Sequence, residues 1–230
     1  MKFRSQYLTD ARGSVGGTTA SKNHYGSFMR ARIKPVNPQS IAQIETRAIL
    51  KTLAKNWRNL TDVQRQGWRQ LATQISFTDS IGQSFTLTGE ALYIQNNCNL
   101  AKVGSTFISD APSIDLNNVK YPNGFVCDIV ATPGSEDITC NFIDAISVGQ
   151  KLVIESSGEV SAGIEYMKNY RKIGVLDSAF MTGSSIKDLY ESVFGAVPAA
   201  GKVAFFRGHI VDTSTGFVSS KIAERSISTI

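Results

Sequence analysis

The sequence predicts an α+β protein in three parts: an extended basic arm over residues 1–36, a small helical module with a β-hairpin over 37–112, and a β-sandwich over 119–230. Three observations carry that expectation. A Gly/Ser/Thr/Asn-rich stretch, Gly13-Ser14-Val15-Gly16-Gly17-Thr18-Thr19-Ala20-Ser21-Lys22-Asn23, leads into Met29-Arg30-Ala31-Arg32-Ile33-Lys34-Pro35. Apolar residues then recur at helical spacing between residues 41 and 101. From about residue 119 they alternate with period two.

The arm has too few apolar side chains to offset the entropy lost when its backbone is ordered. Gly16, Gly17 and Gly26 interrupt regular structure, and Pro35 biases Lys34 toward extended geometry. An arm of this composition is ordered only when something else holds it, which points to an interface. Charge points the same way. The first seventy residues carry thirteen Lys/Arg against three Asp/Glu, a balance of +10, in a chain whose net charge is +5. The remainder is therefore acidic by about five charges, and such asymmetry implies an electrostatic role for one end.

Asn37-Pro38 reads as a helix start, with Asn37 capping and Pro38 in the first helical position. Ile41, Ile44, Ala48 and Leu53 form the expected inner stripe, closed by Trp57 near Asn59, and the opposite face shows Arg47, Lys51, Lys55 and Arg58. A second helix opens at Thr61, which with Gln64 makes a capping box. Its Val63, Trp68, Leu71 and Ala72 are expected to pack on the first helix, with Trp57 and Trp68 in mutual contact. Residues 77–88 read as a small hairpin turning at Gly82. A third helix runs from Thr88, with Glu90 in its first turn, to Gly104, and Ala91, Ile94, Cys98 and Ala101 share one side.

Beyond it, strands are expected at 125–130, 138–142, 151–154, 201–206 and 216–220, with a short helix at 185–191. Short strands with turns between them suggest a sandwich of immunoglobulin or fibronectin type. The Cys…Trp…Cys core of antibody domains is absent, so the expectation concerns architecture only.

Chemistry leaves few marks. Cys98, Cys127 and Cys140 lack metal-ligand spacing and read as buried small hydrophobes in a reducing cytoplasm, with a cross-strand disulfide the less favoured alternative. His24 and His209 have no nucleophile or carboxylate at a recognisable spacing. Gly13-Ser14-Val15-Gly16-Gly17 lacks the Gly-Lys-Ser/Thr ending of a phosphate loop, and neither Gly-x-Ser-x-Gly nor His-Glu-x-x-His occurs. The expectation is a non-enzymatic chain without cofactor or metal. No apolar run approaches eighteen residues, so no membrane span is expected, and the basic start lacks the apolar segment of a secretory signal.

The residues singled out for partner binding are Gly16, Gly17, Tyr25, Phe28, Arg30, Arg32, Lys34, Arg47, Lys51, Lys55 and Arg58. They admit three readings: a solvated face, a track for nucleic-acid phosphates, or a docking surface for neighbouring protein subunits. The last is the most economical, because an extended arm supplies backbone hydrogen bonds and wraps a large area.

One ordered series of motifs adds to this. Gly16-Gly17-Thr18-Thr19 precedes Tyr25-Gly26, then Arg30, Arg32 and Pro35, then Asn37-Pro38 with Gln43 and Arg47. Trp57, Leu60-Thr61 and Gln64-Arg65-Gln66-Gly67-Trp68 follow, then Asp79-Ser80-Ile81-Gly82-Gln83-Ser84 and Leu92-Tyr93. Over residues 12–112 this order resembles a family of proteins encoded by tailed bacteriophages and prophages. The resemblance implies a virion structural protein made in the host bacterial cytoplasm. Its partners would be capsid, portal, neck or tail subunits and further copies of itself. Capsid decoration or cementing is the first expectation, the neck or tail the second, and nucleic-acid binding through the basic surface the third. The C-terminal half is similar only at the level of a sandwich, and glycan binding by its loops is a remoter reading.

Overall fold

The computed structural model describes residues 12–24, 26–33, 36–79, 82–113, 124–132 and 134–229. Their architecture is α+β, with four helices, a seven-stranded mixed sheet and two small antiparallel sheets among the described residues.

Part of the expected arm is locally paired. Strands β1 (Gly13–Val15), β2 (Thr18–Asn23) and β3 (Gly26–Ala31) form an antiparallel meander. Gly16 takes a left-handed φ of +56° in the first turn, as a tight reversal requires.

Helix α1 spans Ile41–Asn59, later than Asn37-Pro38 suggests, because Gln39 adopts a φ of +50° that no helix continues through. Ser40 occupies the cap position without a side-chain hydrogen bond. Its inner stripe is Ile49, Leu53 and Trp57, ending at Leu60, at four-, four- and three-residue steps. The expected stripe through Ile41, Ile44 and Ala48 instead faces solvent. Helix α2 (Asp62–Gln74) starts with the predicted box: the Thr61 N–H donates to Gln64 Oε1 at 3.0 Å, and the Gln64 N–H donates to Thr61 Oγ1 at 3.3 Å. Trp68, Leu71 and Ala72 are buried as expected, whereas Val63 is exposed.

Strands β4 (Phe77–Thr78) and β5 (Ser84–Phe85) make the hairpin, and α3 (Gly89–Lys102) follows its Thr88 cap. The buried side of α3 carries Leu92, Tyr93, Asn96, Asn97 and Leu100, rotated from the predicted row, which is half-buried. Tyr93 is the centre of this core: its ring lies 5.4 Å from both Trp57 and Trp68. The two tryptophans thus meet through a tyrosine, and Trp68 Nε1–H donates to the Ser109 carbonyl at 2.9 Å.

The C-terminal half contains β6 (Val126–Val130), β7 (Asp137–Asn141), β8 (Gln150–Val160), β9 (Arg171–Leu176), β10 (Ser184–Ser185), helix α4 (Lys187–Phe194), β11 (Val203–Asp212) and β12 (Ile222–Thr229). Two separate stacked sheets of immunoglobulin or fibronectin type were expected. The strands are instead hydrogen-bonded in one order, β10-β7-β6-β12-β11-β8-β9. Strand β12 makes the continuity: residues 222–227 pair antiparallel with β11, and Ser228 and Thr229 pair parallel with β6. The sheet curls so that both flanks reach one core. Cys127, Ile129, Ile138 and Cys140 from one flank meet Leu152, Ile154, Ala204 and Phe206 from the other, with Tyr190 of α4 among them. Residues 216–220 are not a full strand; only Val218 bridges, to Val211.

The helical module docks on the outer face of this sheet. Val103, Val153 and Val211 are buried together, with Val175 and Val218 at their margin. Asn96 Nδ2 donates to the Thr215 carbonyl and Asn99 Nδ2 to the Gly216 carbonyl, each at 3.0 Å. Lysines of the sheet complete the C-terminus of α3: Lys151 Nζ donates to the Val103 carbonyl at 2.8 Å, and Lys172 Nζ donates to that of Lys102. Cations there complement the negative end of the helix dipole.

Candidate interaction surface

No side chain between residues 12 and 33 is buried among those described. In the meander, register places Ser14, Thr19 and Arg30 on one face, because residues directly opposite project together. Ser21 and Phe28 extend that face by alternation. Val15, Thr18 and Ala31 lie on the other, with Ala20 and Met29. A three-stranded sheet needs a covered apolar face for stability, and this one contributes no residue to any of the three buried cores.

The predicted partner-binding residues divide as follows. Gly16 and Gly17 form the β1–β2 turn, and the Gly17 carbonyl accepts from the Arg32 N–H at 2.7 Å. Phe28 is half-buried and Arg30 exposed on β3, and Arg32 is exposed just beyond it. Arg47, Lys51, Lys55 and Arg58 are all exposed on α1. Tyr25 and Lys34 lie outside the described residues. Among the described residues, Arg30, Arg32, Arg47, Lys51, Lys55 and Arg58 have no acidic side chain within ion-pair distance.

What sequence reasoning missed is the apolar part of this surface. Ile41, Ile44, Ala48, Lys51, Lys55 and Arg58 follow each other at steps of three and four, so they form one straight stripe along α1. It is apolar at the N-terminal end and basic at the C-terminal end. Ile41 is 77% exposed and Ile44 53%. The competing series Ile49-Leu53-Trp57 was the signal that could have separated inner stripe from outer. Ala42, Gln43, Thr46 and Arg47 line a shallow hollow of about 360 Å³ beside this stripe. Gln43 Oε1 is out of water there without a hydrogen-bond donor.

The polar clusters elsewhere act as structure. Arg207 Nε donates to Glu155 Oε2 at 2.7 Å and a second guanidinium nitrogen contacts the same oxygen, tying β11 to β8. The guanidinium carbon stands 4.2 Å above the Tyr170 ring, and Lys221 Nζ lies 3.6 Å from the carboxylate. Burial alone would raise the Glu155 carboxyl, but the Arg207 hydrogen bond and the nearby cations outweigh it and hold it below the usual range. His209, 6% exposed on β11, has its Nδ1 buried without a partner. Burial first, and then the Lys221 charge, push it down to about 4. It is a neutral ring at pH 7, with no nucleophile hydrogen-bonded to it. His24 lies in the β2–β3 turn.

Cys127 and Cys140 stand directly opposite each other on β6 and β7, both buried and both free thiols. Burial, followed by the hydrogen bond to Cys140, pushes the Cys127 thiol well up, so it is a poor nucleophile. Among the described residues, no three His, Cys, Asp or Glu side chains gather to hold a metal ion, and no helix is long and apolar enough to cross a membrane. Comparison of the chain with protein-family models, curated proteins and solved structures gives no match.

Proposed function

We propose that the chain is a non-enzymatic structural protein of a tailed-phage particle, anchored to neighbouring subunits by its N-terminal meander and the outer face of α1. Capsid decoration or cementing is the preferred role, and the neck or tail the alternative. The observation that carries this reading is a meander with no buried side chain among the described residues, followed along the chain by a helix stripe of exposed isoleucines and cations that lack an acidic partner among those residues. Such a surface loses apolar exposure and gains charge partners when it is covered by protein. The order of motifs over residues 12–112 supports the particle assignment.

The test is incorporation. Particles made with the full chain contain it at many copies, seen by mass spectrometry and immunolabelling. A chain lacking residues 1–36 keeps its three buried cores, which draw on no described residue of that segment, and is left out of particles. Normal incorporation of the shortened chain would refute the anchor.

Nucleic-acid binding is the second reading, favoured by Lys51, Lys55 and Arg58 at helical spacing. It predicts retention on DNA that falls steeply with salt, as counterions released from phosphates return. Converting Arg47, Lys51, Lys55 and Arg58 to Ala would abolish that retention.

A further inference from the structure

At one end of the curled sheet, two loops meet. The Phe142 N–H donates to Thr182 Oγ1 at 3.0 Å, the Gly183 N–H donates to the Cys140 carbonyl at 2.9 Å, and the Phe142 and Phe180 rings lie 6.2 Å apart. These contacts bring residues 142–149 and 177–183 side by side. Neither stretch contains Lys, Arg or His. On their surface stand Ile143, 76% exposed, and Met181, 74% exposed, with the exposed carboxylates Asp144 and Asp177. No ion pair among the described residues neutralises either acid. This patch is the chemical complement of the α1 stripe, where Ile41 and Ile44 precede Lys51, Lys55 and Arg58.

We infer that the occupant of the α1 stripe is the loop patch of a second copy of this chain, so that copies associate head to tail. The inference rests on the reading of α1 as an anchoring surface and names what it anchors to. Ile41 and Ile44 would cover Ile143 and Met181, while the lysines and Arg58 face Asp144 and Asp177. The stripe from Ile41 to Arg58 spans about 26 Å of helix, enough for both contacts along one line. The two surfaces lie on different elements of the chain, so the contact is heterologous and leaves a free donor and a free acceptor at the ends of every chain of copies. It therefore propagates as a ring or a row. The overall division of charge, +10 on residues 1–70 of a chain whose total is +5, favours the same head-to-tail order.

Sedimentation of the full chain at rising concentration tests this. At low salt the mean mass climbs past a dimer, and it falls back toward the monomer in about 0.5 M salt, where exposed charges are screened. A donor variant carries Ile44→Asp and Lys51→Glu; an acceptor variant carries Ile143→Lys and Asp144→Lys. All four positions are exposed, and each pair sets like charges against the native partner surface. Each variant alone associates at least about a hundredfold more weakly than the native chain. An equimolar mixture regains mass, because the intact α1 of the acceptor variant meets the intact patch of the donor variant; that recovery also shows both are folded.

A native chain that stays monomeric up to about 0.1 mM, far above the range of a standard-sized interface, would overturn the inference. So would a mass that saturates at the dimer and ignores the acceptor substitutions, since that describes α1 pairing with α1. If the native chain is monomeric yet loss of residues 1–36 still abolishes incorporation into particles, the anchor stands and this occupant falls.

Discussion

Substituting Gly216 by Ala measures how firmly the helical module is seated on the sheet. Gly216 has a φ of +73°, and a Cβ there would lie 2.5 Å from the Asn96 carbonyl oxygen and 2.9 Å from its carbon. Both are backbone atoms of α3, so neither can swing aside. Ordinary contact begins at 3.4 Å, and the turn must retreat from α3 by about 0.9 Å. That retreat stretches the Asn96–Thr215 and Asn99–Gly216 hydrogen bonds, both 3.0 Å in the native protein. Each bond contributes about 1 kcal/mol, and a buried amide left unpaired costs about 1–3 kcal/mol. The left-handed conformation adds about 1–2 kcal/mol for any residue with a Cβ. Gly216→Ala is therefore expected to lose about 3–6 kcal/mol, a large share of the usual 5–15 kcal/mol of a folded protein.

Gly201 provides the control. Its φ is +77°, but nothing lies within 4 Å of a Cβ built there, so Gly201→Ala loses only the conformational part, about 1–2 kcal/mol. Urea unfolding of the two variants beside the native chain gives the difference directly. Losses equal within about 0.5 kcal/mol, the usual scatter between independent sites, would show that the close approach to Asn96 contributes nothing.

Two further perturbations read other parts of the fold. The His209 pKa of about 4 lies below the usual 6.5, so protons favour the unfolded chain. The His209 contribution is constant above pH about 6.5 and declines by up to about 3 kcal/mol as pH falls through 4. His209→Gln removes that dependence, and a native-minus-variant stability difference that stays flat from pH 7 to pH 4 would refute the assignment. Lys151→Met keeps most of the side-chain volume but removes the charge held on the Val103 carbonyl, and is expected to lose about 1–2 kcal/mol in the same urea assay. An unchanged midpoint would mean that Lys172 alone completes the end of α3.

What the sequence made legible was local. The Thr61–Gln64 box and the Thr88 cap depend on residues three apart, and both are present. Strand spacing was readable at β6 and β7, through Cys127, Ile129, Ile138 and Cys140. It failed at β9, which no expected strand covers, and at β12, whose buried positions include Ser226 and Ser228 while Ile227 is half exposed. Hydrophobic alternation cannot find a strand whose inner face is serine. Nor does alternation say which strand pairs with which, so one continuous sheet and two stacked sheets look alike until β12 is placed. At the candidate surface the cations were visible as a charge excess. Ile41 and Ile44 were assigned to the core because two apolar stripes overlap on α1, and the competing series Ile49-Leu53-Trp57, which packs with α3, is the buried one.

The placement of β12 also bears on how the chain matures. It follows every other strand in sequence but occupies the fourth of seven places in the sheet. β6, β7 and β10 on one side, and β8 and β9 on the other, precede β12 in the chain and can pair before it is placed. Until β12 inserts, the facing edges of β6 and β11 are unpaired templates. A chain without residues 222–229 would keep both halves of the sheet with nothing between β6 and β11. Protein quality control would meet this species as two sticky edges on an otherwise folded protein.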